Sequence, residues 1–153
     1  MNTIKYVKLN EANPVDFLSF LNKQKIRAHL IKHKQFNLNS VKTWIDSKVE
    51  VDITQGCRVR SIIVNDQLAG WCGIQLEDGK YEVAIVIDDQ YWGLGKTVFQ
   101  DMMNWAKEFG HDEVFIHFLH TRPVYKFLQK LAKNVYKTEL LGSQFITYQL
   151  AVK

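Results

Sequence analysis

Residues 90–97 read Gln-Tyr-Trp-Gly-Leu-Gly-Lys-Thr. Two glycines beside a lysine are residue types suited to holding a phosphate. Glycine at the start of a helix removes side chains that would block a ligand, and free backbone N–H groups at the positive helix end favour an anion. Lys96 adds a full charge at the same place. The final Gly-Lys-Thr also matches the end of a nucleotide-binding P-loop, G-x-x-x-x-G-K-[ST], whose first glycine shapes the phosphate-wrapping turn. Here Gln90 stands at that position. No acid follows in 114–120 to act as a metal-holding aspartate. The P-loop pattern fails, while a helix-start anion site and a plain strand-to-helix turn both remain open.

The flanking elements decide how such a loop is presented. Thr3–Leu9 alternates apolar and polar residues as a strand does. Asn13-Pro14 opens a helix with Val15, Leu18 and Leu21 spaced by three, and Lys23–Lys34 continues it as the strongest basic run. A second short helix is expected around Asn39–Ser47. Arg58–Val64 and Leu68–Leu76 form a hairpin over Asn65-Asp66-Gln67, and Asp78-Gly79 marks a second tight turn. Tyr81–Ile87 is nearly all apolar and is expected to be buried on both faces. Thr97–Phe109 places Val98, Met102, Trp105, Ala106 and Phe109 in one helical stripe that Gly110 ends. Val114–Leu119 is a further strand, so a strand–loop–helix–strand unit implies one parallel pairing. Pro123 opens a last helix with Phe127, Leu128 and Leu131 inward and Lys126, Lys130 and Lys133 outward. Phe145–Val152 closes the chain as a strand.

The bulk properties set the class. The 153 residues are 46% hydrophobic and 24% charged, which fits one globular domain over 1–153 that folds without metal or disulfide. No apolar run is long enough to cross a membrane and no secretory signal is visible, so a cytoplasmic setting is expected. Cys57 and Cys72 are not in metal-ligand spacing. Residues 1–50 carry nine Lys/Arg against four Asp/Glu, 51–118 carry five against eleven, and 119–153 carry six against one. The basic ends suit an anionic partner, nucleic acid included. Solvated lysine-rich helix faces explain them equally.

From Leu68 onward the text Leu-Ala-Gly-Trp-Cys-Gly-Ile-Gln-Leu-Glu-Asp-Gly-Lys-Tyr-Glu-Val-Ala-Ile-Val-Ile-Asp-Asp-Gln-Tyr-Trp-Gly-Leu-Gly-Lys-Thr resembles the GNAT superfamily of acetyl-CoA-dependent N-acetyltransferases. That family writes its pyrophosphate loop [QR]-x-x-G-x-[GA] after a fourth strand. Glu82–Gly95 is most similar to the branch that acetylates ribosomal-protein N-termini. The match spans roughly residues 58–131. It implies the GNAT acyl-CoA N-acyltransferase fold: a mixed, mostly antiparallel α/β sheet with a splayed parallel pair of fourth and fifth strands and flanking helices. Two registers of the loop motif fit, one starting at Gln90 and one at Trp92.

What the resemblance implies for chemistry follows residue by residue. Ile85, Val86 and Ile87 would line the pantetheine arm, while Trp92, Gly93, Leu94, Gly95, Lys96 and Thr97 would cup the pyrophosphate of acetyl-CoA. Phe127 falls in the last helix where the family places a tyrosine, beside the cofactor. The acceptor's primary amine attacks the thioester directly in a ternary complex, without a metal. Glu82, on the same face as the small Ala84, is the candidate base, and equally a solvent-facing strand-end carboxylate. His117 and His120 end the fifth strand near the same point. Tyr125 is the nearest hydroxyl for the acid that protonates the leaving thiolate, although the family's Asn and Gly-Phe around that tyrosine are missing. The basic Lys23–Lys34 run, with His29 and His33, would border an acidic or phosphate-bearing acceptor: a peptide, a small amine, RNA or aminoacyl-tRNA. A non-catalytic binding module of the same fold is the alternative. Both a monomer and a homodimer paired through the last strand are compatible with the pattern.

Overall fold

The computed structural model describes residues 3–27, 34–119, 126–140 and 142–152. Seven strands form one sheet in the order β1-β2-β3-β4-β5-β7-β6. They are β1 Ile4–Val7, β2 Arg58–Val64, β3 Gln67–Glu77, β4 Lys80–Ile87, β5 Glu113–Leu119, β6 Ala132–Leu140 and β7 Ser143–Ala151. Every pairing is antiparallel except β4 with β5. The helices are α1 Pro14–Asn22, α2 Gln24–Arg27, α3 Leu38–Asp52, α4 Gly95–Phe109 and α5 Lys126–Leu131.

Strand alternation divides the apolar residues between two cores. One face of the sheet presents Val59, Trp71, Ala84 and Val86 to α1 and α3, which answer with Phe17, Phe20, Leu21, Val41 and Ile45. The other presents Cys72, Ile74, Val83, Val114, Ile116 and Tyr148 to α4 and α5, through Val98, Met102, Ala106 and Leu128.

The local signals act as chemistry requires. Asn13 caps α1 by accepting from the Val15 N–H at 2.9 Å, with Pro14 at the first helical position. Asn37 and Ser40 form a capping box that starts α3. Gly110 closes α4 at φ +80°.

Several expectations need correction. The first strand ends at Val7, because Leu9 turns inward in a short 3₁₀ turn and is buried. The helix expected around Asn39–Ser47 runs on to Asp52, since the aliphatic face continues through Val49 and Val51. Within the expected last helix only Lys126–Leu131 is helical among the described residues, and its proposed start at Pro123 lies outside them. Leu131 is 56% exposed rather than inward, and Lys133 belongs to a strand. Ala132–Leu140 holds Val135, Tyr136 and Thr138, which suit a pleated surface, and pairs with β7 around Gly142 at φ +78°.

Candidate active site

The sheet opens at its one parallel seam. β4 and β5 share a single bridge among the described residues, Glu82 with Phe115. Both strands run on past it, β4 to Ile87 and β5 to Leu119. Ile85, Val86 and Ile87 therefore lie beyond the last β4–β5 pair, at the open end of the wedge. The expectation that β4 is buried on both faces is corrected here. Only Val83 and Ile87 are buried, because among the described residues no strand pairs with that edge of β4 past Glu82. On its other edge β4 pairs with β3 along its whole length. Gly70 makes that pairing close: a side chain there would collide with the Val86 carbonyl oxygen.

The chain leaves the wedge through a tethered turn. The Asp88 N–H donates to the Ala69 carbonyl at 2.7 Å, and a 3₁₀ turn follows over Asp89–Leu94. α4 starts at Gly95 directly after that 3₁₀ turn, with no side-chain cap from Leu94. Gly93 and Gly95 do not adopt left-handed φ, and a methyl group on either would touch nothing in the protein. Neither backbone strain nor packing calls for glycine at these positions. Gly93 lines a cavity of about 480 Å³ together with Lys96, Thr97, Gln100, Asp101, Phe127 and Leu131. Lys96 Nζ stands 5.8 Å from the centre of the Phe127 ring, which meets Phe99 edge-on. Leu94 packs against the α4-side core. The open space at Gly93 and the Lys96 ammonium fit a phosphate group, and the aromatic wall fits the organic remainder of a coenzyme A.

At the apex of the wedge stands Glu82. Its side chain is mostly buried on the α1/α3 face, next to Ala84. Gln75 Nε2 donates to Glu82 Oε1 at 3.1 Å, and Lys48 Nζ from α3 donates to Gln75 Oε1. His117 Nε2 lies 3.4 Å from Glu82 Oε2. Burial raises the Glu82 pKa above the ordinary carboxylate value, and the Glu77 charge adds to it; Lys48 and Gln75 oppose the rise. Burial, helped by Lys80, lowers the His117 pKa, so its imidazole is neutral near pH 7. The Lys48 pKa is lowered by burial against the pull of Glu82 and Glu77, and its ammonium lies 4.8 Å from the Trp71 ring centre. The Trp71 indole N–H is buried with no protein acceptor among the described residues.

Glu82 and His117 are thus brought together, and Gly93, Lys96, Thr97 and Phe127 share one cavity. Tyr125, His120, His29 and His33 lie outside the described residues, as does the Trp92 side chain. The first two lysines of the basic run have partners within the fold. Lys23 pairs with Asp88 at 2.6 Å and Lys25 with Asp89 at 3.0 Å, so the start of the basic run neutralises the residues that enter the loop. Lys48, Gln75 and Thr147 escaped the sequence reading. Gln75, 8% exposed inside an apolar strand, is the signal that was available; a lysine on a helix carries none. Among the described residues no cluster of His, Cys, Asp and Glu is arranged to hold a metal ion.

No protein-family model matches the sequence, and no curated protein does. Solved structures do match. The chain is similar to a GNAT-family acetyltransferase from Streptococcus pneumoniae, with a TM-score of 0.65, 12% identity, and 99% of this chain and 100% of that one covered. It is similar to the PaiA N-acetyltransferase of Thermoplasma acidophilum in complex with coenzyme A, with a TM-score of 0.64, 16% identity and 99% of both chains covered. The RimL ribosomal L7/L12 alpha-N-protein acetyltransferase gives a TM-score of 0.71 at 11% identity over 97% of this chain and 90% of that one. Identities this low speak to the fold alone. Together with the parted β4/β5 seam, they show that this chain has the GNAT acetyltransferase fold.

Proposed function

We propose that the chain is an acetyl-CoA-dependent N-acetyltransferase acting on a primary amine. The observation that carries this is the parted β4/β5 seam, which leads from a buried carboxylate to a glycine loop open to a ligand. Ile85, Val86 and Ile87 would hold the pantetheine arm, residues 92–97 the pyrophosphate, and Phe127 the wall beside it. Bound acetyl-CoA supplies the activated acetyl group. Coenzyme A in the PaiA structure supports this assignment by analogy of fold.

The protein's own contribution is to manage protons and charge. An ammonium cannot attack, so a base must take its proton. Glu82, with its raised pKa and its place at the apex, is suited to that exchange. The neutral His117 beside it orients the carboxylate. A backbone N–H of β4 serves the oxyanion. Tyr125 is the proposed proton donor to the thiolate. Trp71 and Trp44, edge to face at 5.4 Å, wall the acceptor side with Lys48. With Lys23 and Lys25 occupied by aspartates, a polyanionic acceptor is less favoured than a peptide or small amine. Free-thiol release from acetyl-CoA, measured over peptides, polyamines, aminoglycosides and charged tRNA, tests the proposal. Release with one class supports it. Salt-sensitive RNA binding with no release over the panel points instead to a non-catalytic module.

A further inference from the structure

Glu82 is gripped from both sides. Lys48 Nζ only donates, so its bond to Gln75 Oε1 fixes which end of that amide is oxygen. Gln75 Nε2 is thereby turned toward Glu82 Oε1, 3.1 Å away. On the other side His117 Nε2 faces Glu82 Oε2 at 3.4 Å, while His117 Nδ1 lies 2.7 Å from Thr147 Oγ1. Thr147 is completely buried, and its oxygen lies 2.8 Å from Thr138 Oγ1 on the edge strand.

The polarity of this second chain follows from the carboxylate. An ionised Glu82 only accepts, so the hydrogen of the neutral His117 belongs on Nε2. Nδ1 is then the bare nitrogen and accepts from the Thr147 hydroxyl, whose oxygen accepts in turn from Thr138. Gln75 donates to one carboxylate oxygen, and the Nε2 hydrogen of His117 faces the other at 3.4 Å.

We propose that Lys48–Gln75 and Thr138–Thr147–His117 are two positioning arms for the base, and that Thr147 selects the Nε2–H tautomer of His117. This rests on reading Glu82 as the base. Among the described residues the charged groups that act on this centre are Lys48 from α3, Glu77 at the end of β3, and Lys80 at the start of β4 acting on His117. Glu77 disfavours the Glu82 anion, and Lys48 and Gln75 oppose it; an Nε2 hydrogen held toward the carboxylate by Thr147 acts in the same sense. Cutting either arm therefore makes Glu82 harder to ionise and moves the acidic limb of kcat/KM to higher pH.

Two measurements separate the arms from the activity. Nitrogen NMR of the free protein distinguishes bare from protonated ring nitrogens and needs no acceptor. Native His117 is expected as the Nε2–H tautomer, Thr147→Val as a mixture, and Thr147→Ser as native. In thiol release, Thr147→Val and Lys48→Met should shift the acidic limb upward by about half to one pH unit, and Thr147→Ser should not. The hydrogen on Nδ1 in the native protein overturns the proposal. So does a Thr147→Val protein that keeps both tautomer and limb. If no amine is acetylated, the activity falls, and the tautomer alone decides for or against the histidine arm.

Discussion

Glu82 is a carboxylate whose surroundings pull in opposite directions. Burial and Glu77 disfavour its charge, and Lys48 and Gln75 restore part of it. Replacing it by glutamine removes the proposed proton acceptor but keeps the shape. Glu82→Gln should lower kcat by roughly 10²–10⁴-fold, the usual worth of a positioned base, and should abolish the acidic limb; steady-state kinetics across pH reads both. The same residue makes a stability prediction of defined sign. The folded state holds the Glu82 proton more tightly than the unfolded chain does. Its contribution is therefore present below the ordinary carboxylate range and is lost as pH rises through the raised value. Glu82→Gln should melt higher than the native protein at pH 8, and the difference should vanish near about pH 4. Thermal melts at the two pH values decide it. The place of Glu82 on the fourth strand was readable from the sequence. Its surroundings were legible in part: the Asp78-Gly79 hairpin sets Gln75 opposite Glu82 and the fifth strand brings His117 near, whereas Lys48 and Thr147 reach the site only through long-range packing and pairing.

At the level of elements, the loop that would hold the pyrophosphate is fastened from the opposite helix layer. Lys23, the residue that ends α1, reaches Asp88, which is 4% exposed. Lys23→Met leaves that carboxylate buried and unpaired. Since the lysine itself is half-exposed, the cost should be about 1–2 kcal/mol rather than that of a fully buried pair. Denaturant melts measure it, and Lys23→Met with Asp88→Asn should cost less than Lys23→Met alone. Boundaries at which one residue dictates geometry were legible: Asn13-Pro14 starting α1, Asp78-Gly79 turning the β3–β4 hairpin, Gly110 stopping α4. β6 was not legible. Its two exposed lysines, Lys133 and Lys137, are four residues apart and also suit one face of an amphipathic helix, and only β7 beside it decides the matter. The half-exposure of β4 was hidden for a related reason. An apolar strand reads as buried whether its neighbour is a strand or an open seam.

For the whole molecule, the charge asymmetry between basic ends and acidic middle finds partners inside the fold. Lys23 and Lys25 from the first segment, and Lys133 from the last, pair with Asp88, Asp89 and Glu113 of the middle. The two exposed pairs, Lys25–Asp89 and Lys133–Glu113, add little to stability and weaken with salt. The sequence showed the imbalance but not that the protein itself supplies much of the counter-charge. The two cysteines are also settled by the fold. Cys57 and Cys72 are free, buried, and have thiols pushed up by that burial. Neither should react quickly with a thiol reagent until the chain unfolds; labelling in native buffer against denaturant tests this. Rapid labelling of either would contradict their placement in the cores.

The central claim is that the parted seam and its glycine loop take acetyl-CoA. Calorimetric titration of acetyl-CoA into the protein tests it most directly. The account predicts saturable one-to-one binding with a Kd below about a millimolar, weakened about tenfold or more by Lys96→Ala or Gly95→Val through loss of charge or blocked space. No binding heat and no rise in Tm at millimolar acetyl-CoA would contradict it.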